Sequence, residues 1–431
     1  MSVIRVLGAI VTGLLATVVL LVVLVLDTQP SVKANASEQI ADADTVKALL
    51  SQVRQSINQR QKTHVITVSE QQVESLIGFV QRAAPYIHGT TRIRSESGFI
   101  SASVAVPAIV TTAYLNIEIE VLPADKLAIS HVRIGSLYIP GAFAVGIVES
   151  ALNVYTDSDI GTQARRQITN VAMTDGQVAV TVRPMEPFLQ QLNQIRSGFE
   201  QDEPDELTVM TKEYLRYLAT QDIAAKKQSQ PFNTYLNRVM ARASENSTQE
   251  TVVQHNKAAV LALAIFIGHH RIANLVGDVL LDYDQPPKPV GSVLLRGRSD
   301  LSKHFIISAA LKMLSEQEVT VAIGEFKELM DRGRGGSGYS FVDLTADLAG
   351  VEMAKVLANP DTAASAQQTL ATAADESLYM PAIKGVVEGL SKREFNRRYE
   401  KVDSEAYLEE VRQIRARLAQ MPFYGEAAGS D

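Results

Sequence analysis

Residues 115–121 alternate strictly between apolar and polar side chains, in the order Leu115-Asn116-Ile117-Glu118-Ile119-Glu120-Val121. Successive side chains of a strand point to opposite faces, so this alternation predicts a strand with one buried and one solvated face. A second signal lies at 171–182, where alternating apolar residues flank Asp175-Gly176, a dipeptide typical of tight hairpin turns. Together the two stretches predict an antiparallel sheet.

Helical patterns surround the predicted strands. A capping box begins at Ser69, and four apolar residues then recur at helical spacing, which predicts a helix with one buried face. These residues are Val73, Leu76, Ile77 and Val80. A largely apolar, helix-like stretch covers 142–152. Residues 63–195 are therefore predicted to form an α+β domain, in which helices on a curved sheet leave two alternatives open: a filled core, or an apolar cavity for lipid or another apolar ligand.

The N-terminal segment predicts a membrane anchor. Residues 6–26 are apolar apart from two threonines and small residues, and at ~1.5 Å per residue they can cross a bilayer core of about 30 Å. Arg5 before the run and Asp27 after it indicate a cytoplasmic N-terminus and a periplasmic bulk in a single-pass inner-membrane protein. Residues 34–36 match a signal-peptide cleavage site, but the apolar run exceeds the roughly 7 to 15 residues of such peptides, which favours an uncleaved anchor.

The remaining organisation follows from helical spacing and from composition. We expect an anchor at 1–27, a stalk helix at 28–62, the α+β domain at 63–195, a linker at 196–206, an all-α domain at 207–424 and a disordered tail at 425–431. The apolar run 258–267 is too short to span a bilayer and predicts a buried helix ending at Gly268. His269 and His270 then fit a polar helix end better than a ligand pair, because adjacent helical side chains diverge.

Composition excludes several classes of function. The chain of 431 residues has no cysteine, which removes disulfides, thiolate metal sites, a cysteine nucleophile and lipoprotein acylation. Its formal net charge of −7 gives no general reason to bind nucleic acid. Expected partners are the inner membrane, through residues 6–26, and a component or lipid of the envelope.

A cluster of ionisable residues between 296 and 350 carries the candidate chemistry. Three pairs share helix faces at i, i+3 or i, i+4, namely Asp300 with His304, Glu328 with Asp331, and Asp343 with Asp347. One imidazole with several carboxylates can hold a divalent metal, for which the candidate ligands are His304, Glu328, Asp331, Asp343 and Asp347. Crowded carboxylates can also act as acid and base, for which the candidates are Glu328 and Asp343.

Further residues of this segment belong to a candidate binding site or to a structural network. Lys327, Arg332 and Arg334 are candidate binding residues, the two arginines as an anion site before a helix N-terminus. The structural alternative pairs His304 with Asp300, caps Asp343 with Ser340 and pairs Glu328 with an arginine. The segment has no HExxH, GxSxG or P-loop motif.

The same segment carries a resemblance. The order His304-Phe305, Gly-x-x-Lys327-Glu328-x-x-Asp331, Gly-Ser-Gly, then Asp343-Leu-x-x-Asp347-x-x-Gly350 resembles a pattern of uncharacterised bacterial envelope proteins. It is also similar to small predicted periplasmic lipoproteins and, more remotely, to VanZ-like membrane proteins. The resemblance implies an envelope location and brings no reaction with it.

These observations leave three functions open. The first is a membrane-anchored envelope protein that binds or scaffolds through the polar centre of its helical domain. The second is a metal-assisted or acid-base hydrolase of an envelope polymer. The third is a periplasmic lipid or apolar-ligand carrier that uses the α+β domain.

Overall fold

The computed structural model describes residues 20, 22–33, 35–107, 112–199, 205–315, 323–324, 327–328 and 336–425. The chain divides into two compact units, residues 1–201 and 202–431. It is a mixed α+β protein, with antiparallel sheets in the first unit and a predominantly helical second unit, which confirms the predicted fold class at this level.

Two antiparallel sheets form the first unit. Its strands are β1 (Leu26–Asp27), β2 (His64–Ser69), β3 (Ile87–Ile93), β4 (Gly98–Pro107), β5 (Thr112–Leu122), β6 (Ala128–Ile134), β7 (Leu137–Pro140), β8 (Ile168–Thr174) and β9 (Gln177–Val182). Strands β3 to β7 pair in chain order, β1 pairs with the start of β5, and the second sheet has the order β2-β9-β8. The predicted strand at 115–121 and the predicted hairpin are confirmed as β5 and β8–β9, with Gly176 in the turn at φ +79°.

Helices accompany both sheets. They are α1 (Ala36–Gln39), α2 (Val46–Asn58), α3 (Glu70–Ala83), α4 (Gly141–Tyr155), α5 (Ile160–Gln167) and α6 (Glu186–Phe199). The predicted single stalk helix is instead broken into α1, a 3₁₀ turn at Ile40–Thr45 and α2, because Asp42 has a non-helical conformation. Side chains of α3 hold this break, since Ser75 donates to the Gln39 carbonyl at 3.0 Å and Gln72 donates to the Thr45 carbonyl at 2.9 Å.

Helix α3 begins with the predicted capping box, yet it buries a different face from the predicted one. Its buried residues are Gln72, Ser75, Gly78 and Gln81, whereas Val80 is exposed. The reason is hydrogen bonding, because this face satisfies backbone groups of the segment before it and of β3. Of the predicted apolar face, Val73, Leu76 and Ile77 are half-buried and Val80 is exposed, so that prediction was wrong only in part.

The structure bears on three further predicted segments, which are the linker, the tail and the anchor. Helix α6 continues to Phe199, so the first residues of the predicted linker are helical. Most of the predicted tail and most of the predicted anchor lie outside the described residues. Within the described part of the chain, no helix combines the length and the apolar character needed to cross a membrane.

The second unit is built from helices. They are α7 (Glu206–Thr220), α8 (Phe232–Asn246), α9 (Val252–Leu263), α10 (Ser299–Leu314), α11 (Phe341–Ala358), α12 (Ala363–Ala371), α13 (Lys392–Tyr399), α14 (Glu405–Ala419) and α15 (Pro422–Gly425). Two short parallel strands that the sequence does not predict, β10 (Gln230–Pro231) and β11 (Val293–Leu294), pair with each other. The predicted buried helix is confirmed, although its last residues, Ala264–Gly268, form a π-helical turn after α9.

The core of the second unit lies around α11, which is buried along nearly its whole length. Helix α10 crosses α11 so closely that a Cβ built at Gly350 would overlap the carbonyl oxygen of Phe305. Phe305 in turn packs edge-on against Phe232 of α8, with ring centroids 5.5 Å apart. This close crossing brings the polar residues of α10 and α11 together inside an apolar surround.

Candidate metal centre

Two helices and one short segment position the candidate site. His304 lies in the second turn of α10, while Asp343 and Asp347 lie one turn apart at the start of α11. The side chain of Ser340 caps α11 by accepting a hydrogen bond from the Asp343 amide at 3.0 Å. Glu328 comes from the short segment 327–328, which is described with helical backbone.

The His304 ring bridges two carboxylates. Its Nδ1 lies 3.1 Å from Oδ1 and 3.2 Å from Oδ2 of Asp347, and its Nε2 lies 3.5 Å from Oδ2 of Asp343. Ser308, one turn after His304, donates to Oδ1 of Asp347 at 2.7 Å. These contacts fix the orientation of the ring, with one nitrogen on Asp347 and the other directed to Asp343.

Glu328 completes the cluster from the opposite side. Its side chain is 0% exposed, and it accepts hydrogen bonds from the Ser340 amide at 3.1 Å and from Nζ of Lys327 at 2.9 Å. Gly324 also lies close to the cluster, since a Cβ added to it would lie 2.9 Å from Oδ2 of Asp347. The described residues thus bring His304, Glu328, Asp343 and Asp347 together in one cluster, as the sequence predicts.

Burial and charge together shift the protonation of this cluster. Burial lowers the pKa of His304, but the Asp347 carboxylate outweighs it, and the pKa rises to about 9. Burial raises the pKa of Glu328 to about 7, although the Lys327 ammonium opposes the shift. Burial also raises the pKa of Asp343. Near neutral pH His304 is thus an imidazolium, and Glu328 is close to half protonated.

The donor atoms can converge on a cation. One ligand atom from each of His304, Glu328 and Asp343 lies within 4.8 Å of the other two. The 3.5 Å between His304 Nε2 and Asp343 Oδ2 is close to the ~3.4 Å between two ligands of a tetrahedral ion with bonds of ~2.1 Å. Asp347 on the other ring nitrogen resembles the carboxylates that orient histidine ligands in metal proteins. A nitrogen and two carboxylates suit zinc or another divalent transition metal.

The remaining predicted residues have other partners or lie outside the described residues. Asp300 does not pair with His304: its side chain is bound by Arg298 at 2.5 Å, because Asp347 and Asp343 occupy both ring nitrogens. Lys327 contacts Glu328. The predicted residues Asp331, Arg332 and Arg334 lie outside the described residues.

Two residues of the site were missed by sequence reasoning. Ser308 could have been found, because it follows His304 by four residues and therefore shares its helix face. Arg298 lies 3.5 Å from Asp343 and also binds Glu388, which is ninety positions away in the chain and gives no local signal.

The adjacent histidines behave as a helix end. The rings of His269 and His270 stack with centroids 4.6 Å apart, and Nδ1 of His269 accepts a hydrogen bond from the Arg271 amide at 3.1 Å. The side chain of His269 thus caps the turn that follows it.

Comparisons with models of protein families, with curated proteins and with solved structures found no match to this chain. The resemblance of residues 304–350 to envelope lipoproteins and VanZ-like proteins stays a prediction, and the site rests on its own geometry.

Proposed function

We propose that this chain is a membrane-anchored cell-envelope protein whose helical unit binds a divalent metal ion through His304, Glu328 and Asp343. Residues 6–26 would cross the inner membrane, with the N-terminus in the cytoplasm and the chain after residue 27 in the periplasm. The apolar length of that segment and the charges that flank it support this placement.

One observation carries the metal proposal: three different potential ligands from three parts of the chain converge within 4.8 Å. Two of them, Glu328 and Asp343, are buried carboxylates whose charge Lys327 and Arg298 offset in part, and burying charge is costly. A divalent ion that replaces the proton of His304 adds one positive charge among these carboxylates. It therefore compensates them better than the imidazolium alone.

Each residue has a distinct role in this proposal. His304 would bind the ion through Nε2, and Asp343 and Glu328 would bind it through one oxygen each. Asp347 would keep the His304 ring in position from Nδ1, and Ser308 would hold Asp347. Arg298, 3.5 Å from Asp343, limits the excess of negative charge.

The exposure of the site favours a structural ion over a catalytic one. The side chains of His304, Glu328 and Asp343 are 11%, 0% and 8% exposed. An ion that joins α10, α11 and the segment of Glu328 stabilises the folded helical unit, because it binds the folded state and not the unfolded chain. The protein would thereby act as a binding or scaffolding component of the envelope.

The test is zinc binding by the full chain in detergent after removal of metal with a chelator. We expect one zinc per chain for the wild type, and loss of this zinc in His304→Ala. Asp347→Asn should weaken binding by roughly 10- to 100-fold, because it removes only the orienting carboxylate. His269→Ala is the matched control, since it deletes an exposed histidine of the same unit and should leave zinc binding unchanged.

Thermal unfolding with and without zinc accompanies each titration, so that an unfolded variant is not mistaken for one that lacks a ligand. If the folded wild type binds no zinc, manganese or cobalt, or if folded His304→Ala keeps full affinity, the metal proposal is wrong and the cluster is a structural ion network.

A further inference from the structure

Helix α4 presents an unusual face to solvent. Six of its apolar side chains are between 43% and 82% exposed, and they are Phe143, Ile147, Val148, Leu152, Val154 and Tyr155. At about 100° per residue, these six positions fall within about one half of the helix circumference. Ala151 lies within the same half and is also exposed. The face therefore contains no charged side chain.

The charged residue of α4, Glu149, and its amide residue, Asn153, lie on the opposite side and are used for packing. Glu149 binds Arg165 of α5 at 2.8 Å and accepts a hydrogen bond from Thr162 at 2.5 Å. Asn153 accepts a hydrogen bond from the Gly161 amide at 2.8 Å. This arrangement inverts that of an ordinary surface helix, whose apolar side faces the core. The outer face of α4 is thus suited to an apolar environment.

The path of the chain indicates which environment this is. The proposed membrane segment ends at β1, where Leu26 pairs with Leu115 of β5. The Ser136 amide, in the turn between β6 and β7, donates to the Leu24 carbonyl at 2.8 Å. The turn at 135–136 is therefore fixed against the end of the segment that would leave the bilayer, with no intervening linker.

Helix α4 follows this turn after only the four residues of β7. At about 3.3 Å per residue, β7 spans roughly 13 Å, so α4 begins close to the membrane surface. Tyr138 of β7 is also exposed, as aromatic side chains are in the interfacial belts of membrane proteins. The short tether makes contact with the bilayer an intramolecular event at high effective concentration.

We infer that the exposed face of α4 lies in the boundary between the lipid headgroups and the acyl chains of the bilayer from which the chain emerges. The first unit is then attached to the membrane at two places, the spanning segment and α4. This inference rests on the membrane anchor of the proposed function and is independent of the metal site.

The absence of native tryptophan allows a direct test on the full chain. Three variants, Phe143→Trp, Leu20→Trp and Val65→Trp, are reconstituted separately into vesicles of phosphatidylcholine and phosphatidylglycerol with or without brominated acyl chains. Val65 is the matched control, because it is comparably exposed but lies on the other sheet. We expect brominated lipid to quench the indole of Phe143→Trp several-fold more strongly than that of Val65→Trp.

The Leu20→Trp variant separates failure of the inference from failure of the anchor. Quenching of Leu20→Trp without quenching of Phe143→Trp retains the anchor and overturns the inference. If neither Leu20→Trp nor Phe143→Trp is quenched, the anchor and the inference are both overturned. A blue-shifted emission of Phe143→Trp without quenching means that protein, such as a second copy of the chain, covers the face, and this also overturns the inference.

A second change tests the apolar character of the face. Adding Ile147→Glu to Phe143→Trp should abolish the quenching of that indole, since a carboxylate is excluded from the acyl boundary. The same addition to Leu20→Trp should leave its quenching unchanged. Equal quenching of Phe143→Trp with and without Ile147→Glu would contradict insertion of this face.

Discussion

Replacing Gly350 with alanine should loosen the second unit and disable the candidate site at the same time. A Cβ at this position would overlap the Phe305 carbonyl oxygen and would lie 2.9 Å from its carbon and 3.1 Å from the Ala309 amide nitrogen. All three atoms belong to the backbone of α10, which cannot rotate away as a side chain can. Helices α10 and α11 must therefore separate by on the order of 1 Å.

The energetic cost follows from two opposing effects. Overpacking of this kind usually costs about 1–3 kcal/mol, while alanine in place of glycine inside a helix returns about 0.5–1 kcal/mol. The expected net loss is about 1–2 kcal/mol in the free energy of unfolding of the second unit. The separation also stretches the 3.1 Å contact between His304 and Asp347, because these residues lie beside the crossing. Zinc affinity should therefore fall as well.

Hydrogen exchange of the full chain measures the stability change, read on peptides from 299–314 and 341–358, and a zinc titration measures the site. Gly146→Ala is the matched control, because it also changes a helical glycine but its Cβ would meet nothing within 4 Å. It should stabilise α4 by about 0.5–1 kcal/mol. If Gly350→Ala keeps wild-type exchange and wild-type zinc affinity, the close helix crossing is not what holds the site together.

Two further substitutions probe the same unit. Glu328→Gln tests the buried carboxyl: its pKa rises from 4.5 to about 7 in the folded chain, so the folded state binds the extra proton and loses stability as pH rises between these values. In chelated protein, hydrogen exchange should show that the wild type loses roughly 2 kcal/mol more than Glu328→Gln between about pH 5.5 and about pH 8, and parallel losses would refute the shift. Phe232→Ala removes a fully buried ring that packs on Phe305 and Tyr379, and it should cost about 3–5 kcal/mol by the same measurement, whereas a loss under about 1 kcal/mol would contradict the packing.

The sequence predicts those strands and helices whose apolar residues recur at a regular spacing. Strand β5 and the β8–β9 hairpin alternate visibly and were predicted, whereas β4 has small or polar residues on both faces and β7 is only four residues long. Helix α3 differs, because the sequence predicts its capping box but not the polar face that it buries. That face is chosen by hydrogen bonds to Gln39 and Thr45, which no local pattern reveals.

In the candidate site, too, the spacing of residues along a helix is predictable and their partners on other helices are not. Helical spacing correctly grouped Asp343 with Asp347 on one face of a helix. It also grouped Asp300 with His304, but Asp300 binds Arg298 and the ring takes its partners from α11. Spacing fixes which residues of one helix share a face, whereas the crossing of two helices decides what that face meets. Here the crossing depends on Gly350, a residue without chemistry of its own.

The same distinction between the spacing of residues and what they contact applies to helix α4 at the surface of the protein. An apolar run at 142–152 predicts a helix equally well whether its surroundings are a protein core or lipid, because both are apolar. What separates the two is the direction of the few polar residues. Glu149 and Asn153 are satisfied by α5 on the inner side, so the apolar side is left facing outward. If α4 instead belonged to a core, those two side chains would be the ones exposed to solvent.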